Sequence, residues 1–265
     1  MMKPLIGYGL WHPSLPEEHH EALTRTDLLR AFYFAYSHSI CDNHPMANYL
    51  KPLAEQEIRS AVLARLLLAD SAGDQVLIEE LGIGSARVDV AVASDRLAGF
   101  EIKSDYDTLD RLARQMHAYH QVFDALTIVT TTTYVDQVEA LLPSWWGIWV
   151  AERNDDSVIL MERRQAVLHG CQESASLAAM LWREDAYAFV VETLGPIVPS
   201  RATRGDLQAV IAKQIPLDAV RQRVLRSLLN REDLQARSHY ARQQGTNREN
   251  DVMAGCITPP RHVIA

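Results

Sequence analysis

The residues best suited to chemistry lie in the segment RVDVAVASDRLAGFEIKSDYD, residues 87–107. Asp89, Glu101 and Lys103 stand there among valines, alanines and glycine, where an ordinary strand would carry Thr, Val or Ile. Two carboxylates held close together repel each other unless a cation lies between them. Mg²⁺ and Mn²⁺ favour such oxygen ligands. The segment therefore predicts a divalent-cation site with a lysine beside it.

The register of two strands decides whether the two acids meet. Residues 87–93 and 97–103 each alternate between a bulky apolar face and a face of small residues that carries the charge. A two-residue turn would put the acids on opposite faces, whereas a three-residue loop at 94–96 would set Asp89 opposite Glu101. We therefore predict the odd loop, or a bulge that corrects an even one, with the two Cβ atoms about 5 Å apart.

The residues next to Glu101 can also take part. The Ile102 carbonyl could supply a further oxygen to the cation. Lys103 could orient or help to deprotonate a bound water, or steady the charge on a phosphate. Gly99 and the nearby alanines would leave room for a substrate backbone. The alternative is a surface-exposed hairpin on which Glu101 and Lys103 form an ordinary pair of charges.

The elements that position these residues follow from changes in hydrophobic period along the chain. A helical period gives way near residue 75 to a period of two, and both types of segment then alternate. This order predicts an α/β fold with a mixed central sheet. The predicted segments are a helix at 55–70, strands at 75–83, 87–93 and 97–103, a helix at 107–123, a strand at 125–130, a helix at 135–142, and strands at 145–152 and 156–163.

Composition and periodicity divide the chain into four parts. An N-terminal helical extension, 1–50, contains the aromatic run FYFAYSH and could dock a partner protein. The α/β core spans 51–168, and a helical subdomain spans 169–240, with one continuous helix predicted at 173–194. Residues 241–265 lose periodicity, which predicts a flexible tail.

Asp89, an eleven-residue gap and the run Glu101-Ile102-Lys103 resemble the motif of the PD-(D/E)XK nuclease superfamily. The dipeptide before Asp89 lacks the proline usual in that motif, but this position supplies no ligand. The helix–strand unit before the motif and the helix after it also match. The resemblance implies a restriction-endonuclease-like αβββαβ core. It also implies that Asp89, Glu101 and the Ile102 carbonyl hold Mg²⁺ or Mn²⁺ while Lys103 positions the attacking water.

On the helix after the lysine, Gln115 and Tyr119 resemble the Gln-x-x-x-Tyr element of RecB-like members of the superfamily. In those members the element lies beside the metal site and contacts DNA. The resemblance therefore implies a catalytic role for Gln115 and a DNA contact for Tyr119. Tyr119 also fits the apolar stripe of its helix, so a simple core position is the alternative.

Members of the superfamily often carry one more acid on the first core helix and another at the end of the first strand. Glu57 and Glu80 fit those places, with Glu79 as the alternative to Glu80. The resemblance implies that these acids assist as metal ligands through water. Glu57 could instead serve only its helix, because an acid in the first turn interacts favourably with the helix dipole.

The wider sequence from 101 to 152 is similar to a group of uncharacterised bacterial and phage-associated proteins within the superfamily. These proteins carry a trailing helical segment with a Leu-Trp-Arg element, like residues 181–183 here. The resemblance covers about 55–240 and does not extend to 1–50.

Charge is spread unevenly along the chain. The formal net charge of −8 argues against a protein that coats nucleic acid without specificity, because such proteins are usually basic. Residues 201–242 nevertheless hold nine Lys/Arg against four Asp/Glu. Arg221, Arg223 and Arg226 are therefore candidates for phosphate contacts. The alternative is a solvated amphipathic helix.

Cysteine usage and hydropathy bear on the compartment. The three cysteines lie far apart without metal-ligand spacing, which favours a reducing cytoplasm and no zinc site. The first residues do not read as a secretory signal, and no apolar run approaches membrane length. These patterns predict a cytoplasmic protein that is not embedded in a membrane.

The sequence as a whole predicts a nuclease that uses Mg²⁺ or Mn²⁺ to hydrolyse phosphodiester bonds in DNA, in repair, mobile-element biology or phage defence. Asp89, Glu101, Lys103 and Gln115 are the predicted catalytic residues. The helical segments could mediate homo-oligomer formation or bind a protein partner. The alternative is a catalytically silent protein of the same fold that binds or regulates within a larger complex.

Overall fold

The computed structural model describes residues 51–69, 75–155 and 157–234. The N-terminal extension and the tail, for which a docking helix and a flexible segment are predicted, lie outside these ranges. The helices and strands, in chain order, are α1 (Glu55–Ala69), β1 (Val76–Ile83), β2 (Ala86–Ala93), β3 (Leu97–Lys103), α2 (Leu112–His120), β4 (Ala125–Thr131), α3 (Val135–Leu141), β5 (Gly147–Asn154), β6 (Ser157–Arg164), α4 (Ser174–Ala178), α5 (Arg183–Leu194), α6 (Arg204–Gln214) and α7 (Leu217–Leu229).

The six strands form one mixed sheet in which they follow each other in sequence order. Neighbours are antiparallel from β1 to β3, parallel from β3 to β5, and antiparallel again between β5 and β6. Parallel neighbours need a crossover connection, and α2 and α3 supply the two that this sheet requires. The predicted α/β class with a mixed sheet is therefore confirmed.

The hairpin of β2 and β3 has the predicted odd loop. Ala93 pairs with Leu97 and Ala91 pairs with Gly99, which leaves three residues, 94–96, in the loop. The same register, continued along both strands, sets residue 89 opposite residue 101. The last backbone pair of this ladder is Val90 with Phe100. Beyond that pair, the Ile102 amide of β3 donates to the side-chain carboxylate of Asp89 instead of to a backbone carbonyl of β2.

The side chains of β2 alternate between the two faces of the sheet, and this alternation is interrupted at Asp89. Val90 and Val92 belong to one apolar cluster, but Val88 packs in the cluster on the other face of the sheet. On the neighbouring strand, Glu80 faces Asp89 in the register and has a φ of 58°. That left-handed conformation is uncommon for a residue other than glycine. The backbone is therefore irregular on both strands at the point where charged side chains gather.

The sheet is covered on both faces. Helix α1 lies on one face through Ile58, Val62 and Leu66, which recur every four residues. Burial of each such side chain contributes roughly 1.5–3 kcal/mol, which holds α1 in place. The helices α2 and α4–α7 share a single larger cluster with the other face. The predicted helical subdomain therefore shares its core with the sheet, and its boundary at residue 168 stays a prediction.

Two helices differ from their predicted extents. The helix predicted at 107–123 begins only at Leu112, because Asp107 accepts hydrogen bonds from the amide and hydroxyl of Ser104 and closes a turn instead. The continuous helix predicted at 173–194 is divided into α4 and α5. At the break, Trp182 is extended, with φ −68° and ψ 160°, and begins the second helix as its N-cap residue.

Gly99 has a packing role rather than the predicted role of leaving room for substrate. A Cβ atom at Gly99 would lie 2.8 Å from Leu126 Cδ2 and 3.1 Å from the ring of Phe123. Glycine is required here because apolar side chains from β4 and the α2–β4 connection close over this strand. No helix within the described ranges is both long and apolar enough to cross a membrane.

Candidate metal centre

Four of the sequence-predicted residues meet in a buried group, which we call the Glu101 network: Glu101, Lys103, Gln115 and Tyr119. Lys103 Nζ lies 2.7 Å from Glu101 Oε1, and Gln115 Nε2 donates to the same oxygen at 2.7 Å. The Tyr119 hydroxyl lies 2.8 Å from Glu101 Oε2. Only 1% of Glu101 and 4% of Lys103 is exposed. The alternative of a surface-exposed hairpin with a solvated Glu–Lys pair is therefore not what forms.

Such burial is tolerated because both oxygens of Glu101 have partners. A buried ion pair repays its loss of hydration only when additional hydrogen bonds satisfy the remaining groups. The side chains of Gln115 and Tyr119 provide them, and their spacing of four residues puts both on the face of α2 that meets β3.

Tyr119 combines the two roles that its sequence left open. Its ring is fully buried and meets Phe123 edge-on, with centroids 5.9 Å apart. Its hydroxyl lies 2.6 Å from the carbonyl oxygen of Arg87, in addition to its contact with Glu101. Burial, together with the nearby charge of Glu101, raises the pKa of Tyr119. Tyr119 therefore stays protonated and has one hydrogen to share between the two acceptors.

A second group surrounds a residue that sequence reasoning missed. We call it the Arg59 cluster: Arg59 of α1 with Glu55, Glu79, Glu80 and Asp89. The Arg59 side chain is only 6% exposed. Its Nη2 donates a hydrogen bond to the Glu55 carboxylate, lies 2.8 Å from Glu80 Oε1 and lies 3.0 Å from Asp89 Oδ1. Its Nη1 donates to the Asp89 carbonyl oxygen at 2.8 Å and lies 3.9 Å from Glu79.

The charge of Arg59 is well supported. Burial of the guanidinium disfavours its charge, but the hydrogen bond to Glu55 and the charges of Asp89 and Glu80 outweigh that effect and raise the pKa of Arg59. The one signal in the sequence was an arginine beside the apolar stripe of α1, directly after Ile58. That signal is weak, because the long side chain of arginine is common at the margin of an apolar stripe.

Three acids of the cluster converge as metal ligands would. Carboxylate oxygens of Glu55, Glu80 and Asp89 lie within 4.8 Å of one another. The structure therefore brings Glu80 beside Asp89, as the resemblance implied. Glu79 also approaches Arg59, although more distantly.

Glu57 lies apart from this group. It accepts a hydrogen bond from the Ala54 amide and forms an ion pair with Arg153 at 2.8 Å. Those two contacts lower the pKa of Glu57, the backbone hydrogen bond most strongly. The acid that α1 contributes to the cluster is Glu55, because Glu55 and Arg59 are four residues apart and share a helix face. Glu57, two residues on, points elsewhere.

Asp89 joins the two groups. Its Oδ1 contacts Arg59, and its Oδ2 accepts the Ile102 amide at 2.7 Å. The backbone of Ile102, the predicted source of a carbonyl ligand, therefore lies beside the Asp89 carboxylate. Burial raises the pKa of Asp89 to about 7, and the charge of Glu101 adds to the effect despite the opposing charge of Arg59. At neutral pH a substantial fraction of Asp89 consequently carries a proton.

The donor set fits a divalent cation in chemistry and in charge. Mg²⁺ and Mn²⁺ take carboxylate and carbonyl oxygens, and such oxygens converge here. The four acids outnumber the two guanidinium groups beside them, Arg59 and the exposed Arg87 that pairs with Glu80, so the cluster attracts a further cation. Arg59 lies among the same oxygens, however, so a cation at Asp89 requires the guanidinium to yield that contact.

The three arginines predicted to bind nucleic acid have different surroundings. Arg221 forms an ion pair with Asp124, a buried acid that also accepts hydrogen bonds from the Leu97 amide and from Gln172. Arg221 therefore attaches α7 to the sheet and is not available to a phosphate. Arg223 pairs with Glu192 at 2.8 Å. Arg226 is exposed on α7.

Comparison with known proteins identifies relatives of this chain. The family model described as Bacteriophage P4 protein cII matches residues 49–254. Protein cII of Enterobacteria phage P4 is 28% identical over 196 residues, which cover 73% of each protein. A solved protein of unknown function from Silicibacter pomeroyi is 20% identical, and the match covers 56% of this chain and all of that one, with a TM-score of 0.34. None of these names states an activity.

Proposed function

The chain belongs to the bacteriophage P4 protein cII family, and we propose that it is a metal-dependent nuclease that hydrolyses phosphodiester bonds in DNA. One observation carries the proposal: Asp89 and Glu101 directly follow the last ladder pair of two neighbouring strands, the Asp89 carboxylate accepts the Ile102 amide, and Lys103 contacts Glu101. A buried lysine and two acids at this position have no evident value for stability alone, because apolar residues would fill the sheet at lower cost.

The order of the elements supports a restriction-endonuclease-like core within the mixed sheet. Helix α1, the antiparallel strands β1–β3, helix α2 and the parallel strand β4 follow one another as an αβββαβ unit. In this core the charged residues lie on β2 and β3, and α2 covers them.

The residues have separable roles in the proposed reaction. Asp89 and Glu80 would hold Mg²⁺ or Mn²⁺, with the Ile102 carbonyl as a backbone ligand and Glu101 on the other side of Asp89. The bound ion would supply stabilisation of negative charge on the phosphate and would favour ionisation of the attacking water. Ionised Asp89 is required for this, so its proton must leave as the ion arrives.

Lys103 and Gln115 both contact Glu101 and would contribute to the reaction from that part of the site. Lys103 brings a positive charge next to the acids, where it would hold the attacking water or steady the phosphate. Gln115 donates to Glu101 and lies 3.4 Å from Lys103 Nζ, so it fixes both groups relative to each other. Tyr119 restrains Glu101 through a hydrogen bond to the second oxygen of its carboxylate. The DNA contact inferred for Tyr119 would require its buried ring to become accessible, so we assign it this positioning role instead.

A second function is favoured by a specific observation. Arg59 already lies among the converging acids, and both oxygens of Glu101 are hydrogen-bonded. A protein that only binds or regulates within a larger complex could retain such a self-compensated cluster and never take up a metal. The two functions therefore differ in whether a divalent cation displaces Arg59 from Asp89.

Cleavage of labelled DNA tests the proposal. Linear, circular and single-stranded substrates would be incubated in Mg²⁺, in Mn²⁺ and in EDTA, with wild type, Lys103→Ala, Lys103→Met and Lys213→Ala. Lys213 is an exposed lysine on α6 and serves as the matched control. We expect metal-dependent cutting that falls at least about 100-fold in both Lys103 variants, and that is unchanged in Lys213→Ala.

Circular dichroism of the Lys103 variants separates loss of chemistry from loss of fold, and Lys103→Met retains most of the side-chain volume. Cutting that survives in a folded Lys103 variant would contradict the assignment of the site. If no substrate is cut and metal does not raise the melting temperature, the nuclease is rejected and the binding function is favoured.

A further inference from the structure

A polar groove leads from the Arg59 cluster across the C-terminal helices. One cavity of about 350 Å³ is lined in part by Glu79 and Glu80. A second cavity of about 500 Å³ lies beside α7 and is lined in part by Arg226. The two cavities share Trp182, Arg231 and Asp233. The two cavities therefore adjoin at these residues, between the acids on β1 and the exposed arginine on α7.

Trp182 is the exposed residue of the Leu-Trp-Arg element. Leu181 is fully buried, and Arg183 donates to the carbonyl oxygens of Ser200 and Ala202, so both neighbours have structural roles. Trp182 is 50% exposed at the junction of the two cavities. The guanidinium of Arg231 lies 4.2 Å from the centre of its ring. Arg231 covers one face of the indole, and the part of the ring that stays exposed is a surface on which a nucleobase can stack.

Arg226 differs from the other arginines that line the groove within the part of the chain that the structure describes. Arg204 donates to the carbonyl oxygens of Leu181 and Ala179, and the acid Glu232 lines the same cavity as Arg226. Arg231 is paired with Asp233, and Arg223 is paired with Glu192. Asp185 accepts a hydrogen bond from Ser227. The side chain of Arg226 has neither a hydrogen bond nor an ion pair with any residue that the structure describes. An exposed guanidinium in a cavity with an aromatic wall suits a phosphate attached to a stacked base.

We propose that this groove binds single-stranded DNA, with one base stacked on Trp182, its phosphate on Arg226, and the strand directed toward Glu80. The choice of DNA rests on the proposed nuclease function. Both volumes fall within the range of small-ligand pockets, roughly 300–1,000 Å³, and so suit about one nucleotide each. In a duplex the base faces are already stacked, so Trp182 could reach one only after a base leaves the helix.

Fluorescence anisotropy with a labelled oligothymidine in EDTA tests the groove without any cleavage. We expect Trp182→Ala to weaken binding by roughly 5- to 150-fold, the loss of one base–aromatic stack, and Trp182→Phe to restore most of it. Arg226→Gln is expected to weaken binding and to reduce the slope of log affinity against log salt by about 0.7. Arg114→Gln, an exposed arginine on α2, is the matched control and should behave as wild type.

The possible outcomes distinguish the proposed DNA-binding groove from the proposed nuclease activity. If wild type binds the oligonucleotide but cuts no DNA, and folded Trp182→Ala loses the binding, the groove is supported and the nuclease is rejected. Cutting and binding that are unchanged in Trp182→Ala would reject the groove and leave the nuclease in place. Binding of duplex in preference to single strands, or no binding of the oligonucleotide by wild type, would overturn the groove as well.

Discussion

The Glu101 network and the Arg59 cluster lie on the two sides of Asp89 and compensate charge differently. In the network, one carboxylate has one ammonium and two neutral donors, and both charged residues are buried. In the cluster, one guanidinium faces four carboxylates, three of which are more than 40% exposed. The network is neutral and complete, whereas the cluster keeps an excess of negative charge.

This difference indicates where a cation would act. A neutral, fully hydrogen-bonded group gains nothing from another ion, and it can serve as a rigid support. The four acids of the cluster face two cations, Arg59 and the exposed Arg87 that pairs with Glu80, so the cluster gains attraction from a further cation.

The first prediction breaks the network. Lys103→Ala leaves the Glu101 carboxylate buried without its ammonium, and removal of one partner of a buried pair costs about 3–5 kcal/mol of the free energy of unfolding. Urea denaturation monitored by circular dichroism would measure this loss. We expect the double variant Glu101→Gln, Lys103→Met to recover much of it, because no unpaired charge remains. A loss below about 1 kcal/mol for Lys103→Ala would contradict a buried, complete network.

The second prediction removes Arg59, the buried cation of the cluster. Arg59→Gln is expected to destabilise the metal-free protein by roughly 1–3 kcal/mol, less than a fully buried pair because most of its acids are partly exposed. Mg²⁺ should then raise the melting temperature of Arg59→Gln more than that of wild type, because the ion no longer competes with the guanidinium. Arg163→Gln, which breaks an exposed pair with Glu139, is the control and should show neither effect. An equal response to Mg²⁺ in wild type and Arg59→Gln would show that Arg59 does not compete with the metal.

The third prediction concerns pH. The pKa of Asp89 is raised in the folded protein from 3.8 to about 7, so between these values the folded state holds a proton that the unfolded state has lost. The stability contributed by protonated Asp89 therefore falls as pH rises toward 7 and changes little above it. From pH 6 to pH 8 the metal-free protein should lose about 1 kcal/mol by this effect. Urea denaturation at several pH values would measure the loss, and Asp89→Asn should remove it. A dependence that persists in Asp89→Asn would assign it to another group.

The fourth prediction compares the two acids near the start of α1. Glu55→Gln should weaken Mg²⁺ binding by a few-fold, which is under about 1 kcal/mol of binding free energy, because Glu55 belongs to the cluster without contacting Asp89. The rise in melting temperature on addition of Mg²⁺ should be correspondingly smaller. Glu57→Gln should leave the response unchanged, because Glu57 is held by Arg153. The reverse order of effects would favour the ligand set that the sequence resemblance implied.

The parts of the fold that depend on parity and local spacing could be predicted from sequence. The charged faces of β2 and β3 require an odd loop, and the loop at 94–96 is odd. Gln115 and Tyr119 are four residues apart, so both reach Glu101 from one helix face. In both cases the sequence separation alone determines which side chains meet.

The parts that depend on distant partners could not be predicted. Arg59 meets Glu80 and Asp89, which are 21 and 30 residues away on two different strands. Arg221 meets Asp124 across 97 residues. The break between α4 and α5 contains neither glycine nor proline, so it carries no local signal. Such pairings are set by the packing of whole elements, which one sequence does not reveal.

The most direct measurement is a calorimetric titration of Mg²⁺ and Mn²⁺ into the metal-free wild-type protein at pH 7, beside Asp89→Asn and the control Lys213→Ala. We expect binding by wild type with release of a fraction of a proton, because Asp89 must ionise to accept the ion. Asp89→Asn should lose both the binding and the proton release, and Lys213→Ala should retain them. The absence of binding by wild type, or binding that is unchanged in Asp89→Asn, would contradict a metal centre at Asp89 and the nuclease proposed from it.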